Sequence, residues 1–249
     1  MKRTHIISLA AVTALAVTAA AGPQVRMGET EFSFGQMPPS AIVTHTFWVY
    51  SVGDEPIEID TVITACGCTS IPLEKRIVPP GDSVGLEMWF SSKSFRGQVA
   101  KRPSFRIKGD SAEYSFKFYT TVVHDPKELF PIAVFPPVFN FSQSTPEERF
   151  ENKFGLQNRA DEDITIRIAD HNPAILDITA PDTLRAGEIW EGWVSLKPDS
   201  RGASFVTSVT FEVNNSAMHR LTVPIVGKPP ETKADSLKFD FAKPSPLDK

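Results

Sequence analysis

Apolar and polar residues alternate in short runs along most of the chain after residue 22, and Gly, Pro, Asp and Asn separate these runs. The runs are rich in Val, Ile, Thr, Phe and Trp, and alternation with a period of two is typical of half-buried β-strands. The pattern therefore predicts an all-β fold. In the first half the predicted strands are Glu31–Met37, Ile42–Ser51, Pro56–Thr64, Ser83–Ser91, Ser104–Lys108 and Glu113–Val122, with a short edge piece at Arg76–Val78.

The second half of the chain repeats this pattern at a spacing close to 107 residues. Phe32-Ser33-Phe34 recurs as Phe139-Asn140-Phe141, and Phe47 recurs as Phe154. Later in the chain the repeat spacing changes slightly, which is the effect that insertions in surface loops produce. Internal repetition of a set of short alternating strands predicts two tandem immunoglobulin-like β-sandwiches.

Changes in composition divide the chain into five segments. The stretch between the two repeats is apolar and holds four prolines, so we expect a stiff linker that packs against a domain and fixes the angle between the two. The last residues are rich in Pro, Lys and Asp, which predicts disorder, although Leu237, Phe239 and Phe241 alternate as in a strand. The predicted segments are a signal peptide (1–21), a first immunoglobulin-like domain (22–124), a linker (125–137), a second immunoglobulin-like domain (138–228) and a disordered tail (229–249).

The N-terminus has the three parts of a secretory signal peptide. Basic residues at Met1-Lys2-Arg3 precede an apolar stretch from Ile6 to Ala21, which ends in the small residues of a cleavage site before Gly22. As a helix this stretch would be shorter than the hydrocarbon core of about 30 Å, although an uncleaved anchor is the alternative. We therefore expect an exported protein, periplasmic or extracellular, without a membrane span after cleavage.

Charge and motifs exclude several classes of function. The formal net charge is −4, and the 26 Lys and Arg residues form no basic run beyond Lys101-Arg102, which argues against nucleic-acid binding. The sequence has no nucleophile elbow, no glycine-rich phosphate loop and no zinc-protease motif. We therefore expect no enzymatic activity and no organic cofactor.

Both cysteines of the chain lie in one short turn, Cys66-Gly67-Cys68. A disulfide between them would close a three-residue loop, for which chain entropy supplies only about 1.6 kcal/mol. Gly67 would permit the tight backbone that such a bridge needs. Three interpretations remain open: a structural corner with a local disulfide or free thiols, binding of copper or zinc by two thiolates, and thiol redox exchange.

The sequence around this turn resembles the bacterial family catalogued as domain of unknown function 1573. The resemblance rests on Ala65-Cys66-Gly67-Cys68-Thr69, on Gly53–Ile59 before it, and on Ile77–Asp82 and Arg96-Gly97 after it. It covers roughly residues 31–123, and it implies a sandwich similar to the immunoglobulin-like domains of the Hydin and major-sperm-protein group, in an exported or envelope protein without an established activity.

The resemblance departs from the family pattern at Gly53, which follows Ser51-Val52 where the family usually has Asn. In the second half Asn172-Pro173 occupies the corner that the cysteines hold in the first. The fold therefore does not require the thiols twice.

Three aromatic residues of the first domain are predicted to share one outer face. If Phe47 and its neighbours at period two point into the core, alternation sends Trp48 and Tyr50 outward, and the same reasoning sends Trp89 outward. Their equivalents in the repeat are Gly155, Gln157 and Ser195. Exposed Trp and Tyr are common where proteins bind partners, so we expect these rings to contact a protein or another envelope component. The alternative is that the segment after the signal peptide, the linker around Phe130–Phe135, or the tail covers them.

Overall fold

The computed structural model describes residues 22–64, 66–73, 75–93, 95–142 and 150–228. The predicted signal peptide and tail, with Leu237, Phe239 and Phe241, lie outside these residues. The described part consists of β-strands, turns and two short 3₁₀ helices, at Pro126–Glu128 and Pro198–Ser200. The prediction of an all-β protein is confirmed.

The first sandwich contains two packed sheets. One has the strand order β1-β3-β7-β5, and the opposite layer is formed by β2-β11-β8 together with β10-β9-β4-β6. Strands β8 and β9 follow each other directly along the chain and are separated near Pro103, which cannot donate to a ladder. The Phe116 amide donates to the Pro103 carbonyl at this break. The strands are β1 (Val25–Met27), β2 (Glu31–Met37), β3 (Ile42–Ser51), β4 (Ile57–Ile63), β5 (Thr69–Ser70), β6 (Ile77–Val78), β7 (Ser83–Ser91), β8 (Gly97–Lys101), β9 (Ser104–Ile107), β10 (Glu113–Ser115) and β11 (Lys117–Val122).

The second sandwich repeats these connections. Its sheet β12-β14-β18-β16 corresponds to β1-β3-β7-β5, and β13 runs parallel to β20 as β2 runs parallel to β11. The tandem sandwiches inferred from the sequence repeat are therefore present. The strands are β12 (Ile132–Phe135), β13 (Phe139–Asn140), β14 (Glu151–Asn158), β15 (Ile164–Asp170), β16 (Leu176–Ile178), β17 (Thr183–Leu184), β18 (Ile189–Leu196), β19 (Phe205–Val213) and β20 (Ser216–Gly227).

Each sandwich has its own hydrophobic core. Phe47, Val49, Met88 and Phe90 are fully buried in the first core, as the alternation predicted. Their repeat partners are buried in the second core, as are the phenylalanines of the recurring Phe-x-Phe motif: Phe139, Phe141, Phe154, Leu156, Val194 and Leu196.

The segment 125–137 is not a separate linker. Its residues Ile132–Phe135 form β12, which pairs antiparallel with β14 and begins the second sandwich. Leu129 is also buried in the second core. The prolines that suggested a linker, Pro131 and Pro136, flank this strand, as expected for a residue confined to the ends and edges of sheets. The predicted contact with a domain is present, because Leu129 and Ile132–Val134 belong to the second core, although Phe130 and Phe135 are exposed.

The two sandwiches join through a shared sheet. Strand β20 lies parallel to β2, with Gln36 beside Leu221, so that the strand order runs β17-β15-β19-β20-β2-β11-β8. The side-chain amide of Gln36 also donates to the carbonyl of Phe130 at 2.5 Å and accepts from its amide at 3.1 Å. The first sandwich thereby holds the start of the second in place.

Candidate functional site: an interdomain cleft

The sandwiches also meet face to face where β3 crosses β19. The Thr44 amide donates to Ser208 Oγ at 3.0 Å, and Ser208 Oγ lies 3.1 Å from the Thr44 carbonyl, to which it donates. Every residue of β19 is buried, because its second face lies against the first sandwich. The outward residues Ser208, Thr210 and Glu212 are polar, so this contact is hydrogen-bonded and not a continuous apolar core.

His45 of β3 occupies the centre of this contact. It is 8% exposed, and its Nδ1 lies 2.6 Å from Asp170 Oδ2 at the end of β15. Its Nε2 lies 3.4 Å from Glu29 Oε2, and its ring stacks on Phe32 with centroids 3.6 Å apart. Burial by itself would lower the pKa of His45, but the hydrogen bond and charge of Asp170, together with Glu29, outweigh burial and raise this pKa above 6.5.

A buried glutamate that pairs with two arginines lies beside the same contact between the sandwiches. Glu212 in β19 accepts from Arg220 Nε at 2.6 Å and from Arg167 Nε at 2.7 Å. Arg220 also donates to the Ser33 carbonyl at 3.2 Å, and its guanidinium lies 5.1 Å from the centroid of the Phe32 ring. Phe32 therefore contacts both His45 and Arg220, which links the two polar groups across the interface.

Beside His45, residues of both sandwiches line a cavity of about 550 Å³ that is open to solvent, which we call the interdomain cleft. Its walls carry carboxylates, aromatic rings and histidines, and the sequence places them far apart. From the first sandwich these are Glu29, His45, Trp48, Tyr50 and Glu87, and from the second they are Asp170 and His171.

The structure puts the three predicted aromatic residues on one sheet but in different surroundings. Trp48 lies opposite Gly85, Tyr50 opposite Ser83, and Trp89 opposite Thr44, so all three point to the same face. Trp48 is 46% exposed, and Tyr50 is half-buried beside the Arg26 guanidinium, 4.1 Å from its ring centroid.

The expectation that Trp89 faces solvent is wrong, because only 4% of it is exposed. Its register partner Thr44 is the residue that contacts Ser208 of β19, so this end of the sheet lies in the contact between the sandwiches. Binding of a partner by these rings stays a prediction, which now concerns Trp48 and Tyr50.

The indole of Trp48 separates two hollows. One is the interdomain cleft, and the other is a cavity of about 390 Å³ that is also lined by Pro72 and Lys75. The ring lies across Gly85, where a Cβ atom would be 3.6 Å from the indole Cη2. That distance is an ordinary van der Waals contact, and the atom that a Cβ at position 85 would meet too closely is Thr46 Cγ2, at 2.7 Å.

Two features were missed in the sequence, an exposed tryptophan outside the cleft and a histidine within it. The second sandwich has an exposed tryptophan of its own, Trp193, which is 54% exposed on β18. Alternation along Ile189–Leu196 predicts that Trp193 points outward. The comparison with repeat equivalents did not include this residue, because it considered only Gly155, Gln157 and Ser195. His45 was missed as well, although a histidine at a position with core parity, two residues before Phe47, was the available signal.

Cys66 and Cys68 form a disulfide, with their Cα atoms 5.3 Å apart, in the turn between β4 and β5. Both are half-buried, and their sulfurs lie 3.7 and 3.8 Å from Thr69 Oγ1. Across the described ranges, no group of three or more His, Cys, Asp or Glu residues is arranged to hold a metal ion. Copper or zinc binding and redox exchange by this pair stay predictions.

The fold and these sites can be compared with known proteins. Residues 25–122 match the family model described as Protein of unknown function (DUF1573). The resemblance found in the sequence is therefore confirmed for the first sandwich. No curated protein matches the chain. In the part of the chain that the structure describes, no helix is long and apolar enough to cross a membrane.

Several solved structures are similar in fold. A protein of unknown function from Porphyromonas gingivalis W83 is 10% identical, covers 82% of this chain and 99% of its own, and has a TM-score of 0.33. The Escherichia coli chaperone DraB is 10% identical over 83% of this chain and 97% of its own, with a TM-score of 0.33. The VesB protease of Vibrio cholerae is 13% identical over 40% of this chain, which spans only 32% of that protease, with a TM-score of 0.34. Likeness at this level assigns no function.

Proposed function

We propose that the protein is an exported, non-catalytic binding module that contacts a protein or another envelope component through the interdomain cleft. The observation that carries the proposal is Trp48, a large ring left 46% exposed between two hollows. Tryptophan is enriched among the residues that dominate binding energy, and ligand sites are common where domains meet.

The surroundings of the cleft favour binding over catalysis. Its buried histidine, His45, is held by Asp170 and stacked on Phe32, and no serine, threonine or cysteine nucleophile is hydrogen-bonded to His45 in the described residues. A rigid ring beside a preformed cavity loses little conformational freedom on binding. These features suit recognition of a partner.

The test is affinity capture from the native envelope extract with the unchanged protein, Trp48→Ala and Trp193→Ala. Trp193 is a matched control, because it is similarly exposed but is not among the residues that line the cleft. We expect Trp48→Ala to lose the captured component while its unfolding midpoint stays close to that of Trp193→Ala. Equal capture by both variants would contradict a role for the cleft.

Export is tested separately by mass spectrometry of the protein from its native source. We expect a mature chain that begins at Gly22 and is found outside the cytoplasm. A full-length chain in the cytoplasmic fraction would contradict this part of the proposal.

A further inference from the structure

The charged groups in the walls of the interdomain cleft are predominantly acidic. Glu29, Glu87 and Asp170 contribute carboxylates, and none of the described residues that line the cleft is a lysine or arginine. The Glu29 side chain is 50% exposed and that of Asp170 is 26% exposed, so both remain accessible from the cavity. A cavity with walls of one sign concentrates ligands of the opposite sign.

His45 offsets this negative charge only in part. Its ring lies between Asp170 Oδ2 and Glu29 Oε2, so one imidazolium at most stands against two carboxylates. Its Nε2 is buried and makes no aligned hydrogen bond, although it lies 3.4 Å from Glu29. The described lining residues include three carboxylates, Glu29, Glu87 and Asp170, and two histidines, His45 and His171, so the carboxylates outnumber the groups that can carry positive charge.

The aromatic wall suits a cation as well. The guanidinium of Arg26 already lies 4.1 Å from the ring centroid of Tyr50, at the rim of the same sheet. Two residues away on β3, Trp48 offers a larger and more exposed ring, and no cation lies over it within the described residues. Tryptophan is the most favourable aromatic partner for an ammonium or guanidinium group.

We propose that the interdomain cleft binds a basic side chain, arginine or lysine, on an extended segment of the partner, with the cation over Trp48 and near Glu29. This inference rests on the proposed function and names the chemistry of its ligand. A cavity of about 550 Å³ lies in the usual range for ligand sites, and it accommodates one such side chain with its flanking backbone.

The probes are three capped peptides, acetyl-Gly-Arg-Gly-amide, its citrulline analogue, and acetyl-Gly-Glu-Gly-amide. Citrulline keeps the shape of arginine without its charge. Binding is followed on the full chain by NMR through the indole N–H resonance of Trp48, which is assigned with Trp48→Phe. We expect saturable shifts with the arginine peptide, an affinity at least tenfold higher than for citrulline, and no binding of the glutamate peptide.

Charge variants test the acidic wall directly. Glu29→Gln is expected to lower the affinity for the arginine peptide at least fivefold. Glu113 is a carboxylate on β10 away from the cleft, so Glu113→Gln should leave this affinity unchanged. Raising the NaCl concentration to about 0.5 M should weaken binding as well, since exposed charges are then screened. The salt response is measured on the unchanged protein. It therefore still tests the acidic wall if Glu29→Gln fails to fold.

Equal affinities for arginine and citrulline, or a preference for the glutamate peptide, would overturn the proposal. If capture of the partner still depends on Trp48 in that case, the cleft binds by apolar contact and the proposed function stands without the basic ligand. Lysines of the chain's own C-terminal segment are the competing occupant. Higher peptide affinity after Lys233→Gln with Lys238→Gln in the full chain would overturn the assignment to a partner protein.

Discussion

Gly35 in β2 passes so close to Arg220 in β20 that a Cβ atom at position 35 would overlap the Arg220 carbonyl oxygen. The Gly35 backbone also has a φ of +62°, which other residues adopt only at a cost. This approach is where the sheets of the two sandwiches join.

We expect Gly35→Ala to lower the free energy of unfolding by more than about 3 kcal/mol, because it adds a backbone clash to backbone strain. Gly81→Ala is the matched control. Gly81 has a φ of +78°, but nothing lies within 4 Å of a Cβ atom there, so only the strain of about 1 to 2 kcal/mol applies. Chemical unfolding measures both, and equal losses would contradict the close approach.

The stability of the interface should depend on pH through His45. Its pKa is raised above 6.5 in the folded protein, so its contribution is complete below pH 6.5 and is lost as the pH rises through the higher folded value. The groups that raise this pKa against the effect of burial are Asp170 and Glu29.

The measurement is the free energy of unfolding between about pH 5.5 and 8.5 for the unchanged protein and for His45→Gln. We expect the unchanged protein to lose stability over the upper part of this range, and the variant to show a flatter profile at a lower overall stability. The same slope in both proteins would mean that another group titrates.

The two tryptophans on one face of the first sandwich should differ in their contribution to stability. Trp89→Ala removes a buried ring, for which a loss of about 3 to 5 kcal/mol is typical. Trp48→Ala removes a half-exposed ring and should cost about 1 kcal/mol. Thermal unfolding of both variants checks this order, and a larger loss for Trp48→Ala would place that ring in the core.

Replacing Cys66 and Cys68 by serine should cost less than about 2 kcal/mol, because the disulfide closes a loop of only three residues. Thiol titration with and without reductant, together with metal analysis of protein purified without chelator, accompanies the measurement. Stoichiometric copper or zinc that disappears in the variant would favour the metal-binding alternative. Free thiols without reductant would contradict the disulfide.

Each sandwich should fold alone, as fragments 24–126 and 127–229. The separate cores support this expectation, and the face of β19 that separation would expose carries the polar residues Ser208, Thr210 and Glu212. We expect two cooperative unfolding transitions, each at lower stability than the whole chain. Cooperative unfolding in neither fragment would contradict the division into two domains.

Local alternation was enough to predict most of the first sandwich. Strands β2, β3 and β7 have the predicted bounds, and the inward side of β3 was assigned correctly at Phe47 and Val49. Period two is a property of each strand by itself, so a single sequence contains it. The short strands β1, β5 and β8 were missed because two to five residues give too little alternation to recognise.

The interdomain cleft could not be predicted from the sequence, because it forms only where the two sandwiches pack against each other. His45 and Asp170 are 125 residues apart, and neither has a local pattern that names the other. The burial of Trp89 has the same origin, since alternation predicts which face a ring occupies but not what covers that face. Prolines misled the assignment of β12, because they flank an edge strand as readily as they stiffen a linker.

The pairing of β2 with β20 sets an order of events while the chain is made. Gln36 and Leu221 are 185 residues apart, so the first sandwich can be complete before its neighbouring strand has been synthesised. At about 5 to 20 residues per second, this interval is on the order of ten to forty seconds. During that time the edge of β2 is open to pairing with any other strand. Strand β20, the last strand of the described residues to be synthesised, is therefore the one that covers the open edge of β2.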